Sequence, residues 1–355
     1  MEIEIPKIDF IVGTEKRFHD FVGSLNEKDK VAIVSHTDLD GIGAAKVANE
    51  VLNADVIKFV GYTDLTLDLV NELKEKKVSK IFVLDLYIKF PEFIKELEKI
   101  AEVCIIDHHQ ITEDWNSDRM VFLNSEGYCA TYLCYYLFSK IQSLEKWDWL
   151  VVSACISDWM YFENQEWMKK VYEKYGEEFY GERKDDIKKS KFWDVQWDLS
   201  LAIVYFKSDL NNVFEKIEEG SWNGLGELEK HVLEVQNYIN DSLERFEKER
   251  EEINGRILWE FEPRFEVGSI LSTLLSVKYW TKTLLVSRNK EKTYNFSARR
   301  QDKKENMDLL LKKLTKGLEG GDGGGHVPAG GGHVRIEDKE EFLKRLKELP
   351  EEEIN

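Results

Sequence analysis

Val31-Ala-Ile-Val-Ser35-His36-Thr37-Asp38-Leu39-Asp40-Gly41 is the stretch on which the fold turns. Its first four residues are apolar without alternation, as in a strand buried on both faces. Three polar residues follow two apart, and Gly41 permits the turn into a helix reaching Leu52. The pattern repeats outward: strand Val56 to Val60, helix 64–77, strand Lys80 to Asp85, helix 91–100 and strand Val103 to Asp107. Met120 to Asn124 reads as one more strand, with helices near 128–142 and 146–157. Doubly buried strands separated by helices predict an α/β domain with a parallel sheet covered on both sides.

An extended chain sends alternate side chains to one side, so His36, Asp38 and Asp40 can converge. Alone, the segment reads equally well as a polar strand-to-helix loop with a capping Asp. Three further signals favour a site. Asp85 ends one apolar strand, Asp107-His108-His109 ends another, and Asp158 follows the helix at 146–157. Carboxyl ends of parallel strands line the crevice in which ligands bind. Aspartates gathered there repel one another unless cations neutralise them. Oxygen and imidazole donors suit Mn²⁺, Mg²⁺, Zn²⁺ or Co²⁺. Of the seven histidines, His36, His108 and His109 fall here and His326 and His333 in a glycine-rich segment, which leaves His19 and His231 as surface or core-edge residues.

At 355 residues the chain exceeds the roughly 100–200 of one domain. Residues 160–225, rich in Trp, Tyr, Lys and Glu, are expected to be a helical extension of the first domain, placed at 1–225. Leu228, Val232, Leu233, Val235, Ile239, Leu243 and Phe246 recur at helical spacing, so 226–257 reads as one connecting helix. The second domain, 258–355, is expected to be a smaller α/β unit: strands at Tyr279 to Ser287 and Lys292 to Ala298, a helix at 304–316, a glycine-rich loop at 317–332 and a charged helix at 338–353.

The formal net charge of −18 disfavours sequence-independent wrapping of a duplex, so any polyanion must be held locally. Residues 278–317 carry twelve Lys or Arg against four acids, an excess of eight positive charges. Four cysteines without a C-x-x-C pair point to free thiols and a reducing, cytoplasmic setting. The opening MEIEIPKIDF has no apolar signal core, and no long apolar window is present, so neither export nor membrane spanning is expected.

The H-x-D-x-D-G segment at 36–41, Asp85, the Asp107-His108-His109 triplet and Asp158 resemble, in order, the four motifs of the DHH phosphoesterase superfamily. That superfamily includes RecJ-type exonucleases, nanoRNase-type oligoribonucleases, cyclic-dinucleotide phosphodiesterases and family II pyrophosphatases. The second half resembles the DHH-associated domain, with Ser297-Ala298-Arg299 in the place of its Ser-x-Arg strand and Gly323-Gly324-Gly325-His326 in that of its glycine-histidine element. The resemblance covers roughly 30–160 and 265–335. It implies two divalent cations, manganese foremost, one held by His36, Asp38 and Asp85 and another by Asp40, Asp85, His108 and Asp158. Such a pair activates water and neutralises phosphate. It further implies that His109 faces the phosphate, with Asp107 orienting a neighbouring ligand, and that Ser297, Arg299, Arg300, Gly324, Gly325 and His326 bind substrate. Gly-Gly-Gly-His-Val occurs at both 323–327 and 330–334, a departure from the family, and His326 is the preferred working residue.

Ser125, Glu126 and Thr131 mark a helix start that can receive phosphate or simply cap the helix. Trp159, Tyr161, Phe162 and Trp167 can stack bases, although packing is the commoner use of such rings. The leading expectation is a metal-dependent phosphodiesterase that trims short single-stranded oligonucleotides to mononucleotides. Cleavage of cyclic or linear dinucleotides is the alternative within that chemistry, and a catalytically inactive scaffold in a replication or repair assembly the alternative outside it. Oligomeric state is not legible.

Overall fold

The structure is a computed structural model that describes residues 3–88, 91–111, 113–181 and 186–350. It divides into two compact units, Met1–Val232 and Leu233–Asn355. Along the first run α1 (Glu15–Gly23), β1 (Val31–Ser35), α2 (Leu39–Leu52), β2 (Val56–Phe59), α3 (Leu67–Glu75), β3 (Lys80–Leu84), α4 (Pro91–Ile100), β4 (Glu102–Asp107), β5 (Met120–Asn124), α5 (Ala130–Phe138) and α6 (Asp148–Ser157). The five strands form one parallel sheet in the order β2-β1-β3-β4-β5. β1 and β3, inside the sheet, and edge strand β5 are buried at every residue, whereas edge strand β2 buries only Val56.

After β2 is laid on one side of β1, the chain crosses to place β3 on the other, so the switch point lies between β1 and β3. A crevice opens at such a point beyond the strand ends. Ser35 is level with Leu84, and Leu84 with Ile106. The next residues on β1 and β3, His36 and Asp85, therefore leave the sheet together, level with Asp107 at the end of β4.

The extension expected at 160–225 contains α7 (Gln165–Lys174), α8 (Lys191–Tyr205) and α9 (Asn211–Lys216), with 182–185 outside the described residues. Tyr161 and Trp167 are buried and so pack rather than offer a stacking face; Phe162 is exposed. All four cysteines are free and buried. Among the described residues no helix is long and apolar enough to cross a membrane.

α10 (Glu229–Glu249) contains the division between the units and stops short of the expected 257. β6 (Glu251–Ile253) and β7 (Arg256–Glu260) take over, joined by Asn254-Gly255 with φ of 49° and 77°. Asn-Gly is the pair that favours a two-residue hairpin turn, and it overrides the helical spacing of the apolar residues around it. The second unit continues with α11 (Gly268–Lys278), β8 (Leu284–Lys290), β9 (Thr293–Arg299), α12 (Met307–Thr315), β10 (Asp322–His326), β11 (Ala329–Arg335) and α13 (Lys339–Glu348). Residues 351–353 of the expected terminal helix lie outside the described ones. The sheet order is β10-β11-β9-β8-β7-β6, and only β7 and β8 run parallel.

The glycine-rich segment is therefore a hairpin and not a loop: β10 and β11 pair from Asp322 to His333 and extend the sheet beyond β9. Glycine is a poor strand former, which hid the strands from the sequence. Its lack of a side chain permits the close pairing, because a Cβ at Gly332 would lie 2.1 Å from the Asp322 carbonyl oxygen and one at Gly330 2.6 Å from that of Gly324. Tyr294, Phe296 and Ala298 turn one face of β9 into a core with α12 and α13, leaving Asn295, Ser297 and Arg299 on the other.

Candidate metal centre

The loop after β1 is held from within. Asp38 caps α2, its Oδ1 accepting from the Gly41 amide at 2.9 Å, and the Ser35 hydroxyl donates to the Gly41 carbonyl at 2.7 Å. A Cβ on Gly41 would lie 2.4 Å from the His36 carbonyl oxygen, so only glycine fits this tight re-entry. Capping uses one oxygen of Asp38 and leaves Oδ2 2.9 Å from His36 Nδ1. The same carboxylate thus caps the helix and faces His36.

Asp85 follows β3 with φ of 56°, a left-handed conformation that Asp tolerates better than most residues. Its buried carboxylate lies between two histidines: Oδ2 is 3.6 Å from His36 Nδ1 and Oδ1 is 3.2 Å from His108 Nε2. His108 Nε2 also lies 3.6 Å from Asp40 Oδ2 and 3.4 Å from Asp158 Oδ2. Asp158 reaches the cluster as the C-terminal cap of α6. Three groups have donor atoms within 4.8 Å of each other: His36, Asp38 and Asp85; Asp40, His108 and Asp158; and Asp85, His108 and His109, which joins the other two.

Asp40 is held by the start of α5. The amides of Ala130 and Thr131 donate to its two carboxylate oxygens at 2.7 and 2.8 Å, and the Thr131 hydroxyl donates to its carbonyl at 2.6 Å. The helix N-terminus considered for phosphate is therefore occupied by a carboxylate of the chain itself, a favourable pairing with the helix dipole. Ser125 turns away, donating to the Asp9 carbonyl. Asp107 serves His109: its Oδ1 lies 2.7 Å from His109 Nδ1, and its Oδ2 accepts from the His109 amide at 3.3 Å.

Burial opposes charge on His36, but Asp38 and Asp85 beside it raise the imidazole to about 10. Burial, reinforced by Asp40 and Asp38, pushes the Asp85 carboxyl well above the usual carboxylate range. Burial and the charges of Asp40, Asp38 and Asp85 push Asp158 up to about 9. Asp85 Oδ2 and His108 Nδ1 are buried without a hydrogen-bond partner. Buried polar atoms are almost always satisfied. Oxygen and imidazole donors that crowd together, hold excess protons and lack partners fit divalent cations, which replace the protons and relieve the repulsion.

Tyr62, which sequence reasoning passed over, also belongs to this cluster. Its ring stacks on His36 with centroids 4.6 Å apart, and its hydroxyl is 3.0 Å from His109 Nε2. Its position just beyond β2, beside the strand that carries His36, was the signal available in the sequence.

In the second unit, β9 sets Ser297 level with Gly331 and Gly324, and Arg299 level with Ala329 and His326. Gly325 pairs with Gly330 and has φ of 148°. His333, on the same face as His326, is level with Asn295 instead. Arg300 departs from expectation: it is buried, with Nε donating to Asp302 at 2.7 Å and Nη1 to the Thr283 hydroxyl at 3.3 Å. Strand alternation turns it away from Arg299 towards Glu305, the buried acid that also binds Arg256. The local basic excess is reduced further by pairing of Lys278 with Glu247 and Arg288 with Glu266.

Residues 30–161 match the DHH family, N-terminal domain, and residues 263–352 match the DHHA1 domain, together more than half of the chain. No curated protein matches the sequence. Among solved structures, RecJ in complex with Mn²⁺ from Thermus thermophilus is similar over 97% of this chain and 55% of its own, at 14% identity and a TM-score of 0.68. The chain thus spans about half the length of that relative. Exonuclease RecJ bound to manganese is similar over 98% of this chain and 96% of its own, at 14% identity and a TM-score of 0.67. A pGpG-specific phosphodiesterase from Vibrio cholerae is similar over 90% and 98%, at 14% identity and a TM-score of 0.52. The two matching domains make this chain a member of the DHH family, with a DHHA1 domain at residues 263–352.

Proposed function

We propose that the protein is a metal-dependent phosphodiesterase that trims short single-stranded oligonucleotides to mononucleotides. The observation that carries this reading is the pair of histidine and aspartate groups that meet at Asp85 beyond the strand ends. Two divalent cations, manganese foremost, would be held by His36, Asp38 and Asp85 and by Asp40, Asp85, His108 and Asp158, and when bound supply an activated water and charge neutralisation at the phosphate. The chain's own groups do the rest. Asp107 holds His109 through Nδ1, leaving Nε2 to meet a phosphate oxygen. Thr131 and the α5 amides keep Asp40 oriented. Arg299, with a planar fork suited to two phosphate oxygens, and Ser297 and His326 on the same face would bind further phosphates of the substrate. That grip favours a substrate with several phosphates.

Dinucleotides are the second substrate class, favoured by the pGpG-specific phosphodiesterase among the structural neighbours. The test is manganese-dependent digestion of end-labelled RNA and DNA oligomers two to twenty nucleotides long, beside cyclic dinucleotides. Turnover of the short oligomers to mononucleotides is expected. Cleavage restricted to dinucleotides selects the second reading, and absence of any phosphodiester cleavage with manganese rejects both.

A further inference from the structure

His109 has two ring nitrogens and one of them is committed: Nδ1 lies 2.7 Å from Asp107 Oδ1. Its backbone is fixed as well, since Asn124 Nδ2 donates to the His109 carbonyl at 2.9 Å. Only Nε2 remains to meet a ligand, and Tyr62 Oη stands 3.0 Å from it. Tyr62 is not there by default packing, because it is 36% exposed. A short capped turn holds it in place, with the Gly61 amide donating to Asp64 Oδ2 at 2.9 Å and the Asp64 amide to the Gly61 carbonyl at 3.0 Å. The ring is fixed from a second side by its stack on His36.

A phosphate oxygen bound by His109 needs an N···O separation of about 2.7–2.9 Å, which puts it where the phenol oxygen now stands. Both oxygens cannot occupy that place. A hydrogen bond to an ionised phosphate oxygen is roughly twice as strong as one between neutral partners, so the exchange runs towards the phosphate. We infer that Tyr62 is a positioning residue whose hydroxyl occupies the phosphate-oxygen position on His109, keeps the imidazole aimed into the site, and gives way when substrate arrives. The inference rests on the phosphodiesterase reading. It makes a claim of unusual sign: deleting the hydroxyl removes a competitor, so phosphate binds more tightly. A residue that merely supported the fold would give the opposite result.

The experiment titrates manganese-loaded wild-type protein and Tyr62→Phe with inorganic phosphate and with AMP by calorimetry, with melting temperatures recorded for each. Tyr62→Phe retains the ring but has no hydrogen bond to His109 to break when the ring gives way, so it is expected to bind both ligands about 2- to 12-fold more tightly, the range of one net hydrogen bond. In a His109→Ala background the same change is expected to have no effect, because there is no imidazole to contest. Equal or weaker binding by a folded Tyr62→Phe overturns the inference and leaves the phosphodiesterase reading standing. So does a gain that survives in the His109→Ala background. Wild-type protein that binds neither ligand and cleaves no phosphodiester overturns the phosphodiesterase reading, and the inference with it.

Discussion

The crevice of the first unit and the β9–β11 face of the second both gather polar side chains, but by different means. In the first, parallel topology aligns the strand ends that carry His36, Asp85 and Asp107, while Asp40 comes from the start of α2 and Asp158 from the end of α6. In the second, Ser297, Arg299 and His326 share a face only because antiparallel register sets them level. One assembly depends on where strands stop, the other on how they pair. The first is the more robust to local change, and the second can be shifted to the wrong face by a slip of one residue.

The hardest blow to this contrast is aimed at Asp85. Asp85→Asn removes the one carboxylate that lies beside both histidines, and turnover of a labelled oligonucleotide is expected to fall on the order of 10³-fold. A rate near wild type would show that the two groups do not act through a shared residue. Thr131→Val comes next. It removes the hydroxyl that braces Asp40, so manganese affinity is expected to fall roughly 10- to 100-fold, measured by calorimetry. If instead KM rises with manganese affinity intact, the helix start acts on substrate.

How much was legible follows the same line. Apolar strands ending in Asp or His exposed the parallel sheet and its edge, because both signals are local. The glycine hairpin was not legible, since nothing in Gly323-Gly324-Gly325 announces a partner strand until β11, itself paired to β9, is in place to receive it. Arg300 looked equivalent to Arg299, and only alternation along a real strand sends one to the surface and the other towards Glu305. Asn254-Gly255 was the opposite case: a local turn signal was present, and helical spacing around it was read in its place.

The neighbouring arginines give the third test. Arg299→Ala is expected to raise KM for long oligonucleotides about 10-fold, as expected for one charge-assisted contact, with little change in urea unfolding. Arg300→Ala is expected to lower unfolding stability by about 1.5–3 kcal/mol, because it strips a buried ionic cluster, with KM little changed in what remains folded. Exchanged phenotypes would invert the assignment of faces.

The smallest effect is a slope with pH in metal-free protein. Asp158 has a folded value of about 9 against an ordinary 3.8, and His36 about 10 against 6.5. Both bind protons more tightly folded than unfolded, so their contribution to stability falls as pH rises, from about 4 to about 9 for Asp158 and from about 6.5 to about 10 for His36. Melting temperatures in chelator at pH 5 to 9.5 check this. Asp158→Asn is expected to flatten the slope, and saturating manganese to abolish it.

Both carboxylate oxygens of Asp40 accept from amides at the start of α5. Part of the electrostatic burden of the cluster is thereby lifted by the backbone itself. Assembly of the domain therefore leans less on a bound cation than four crowded carboxylates alone would require.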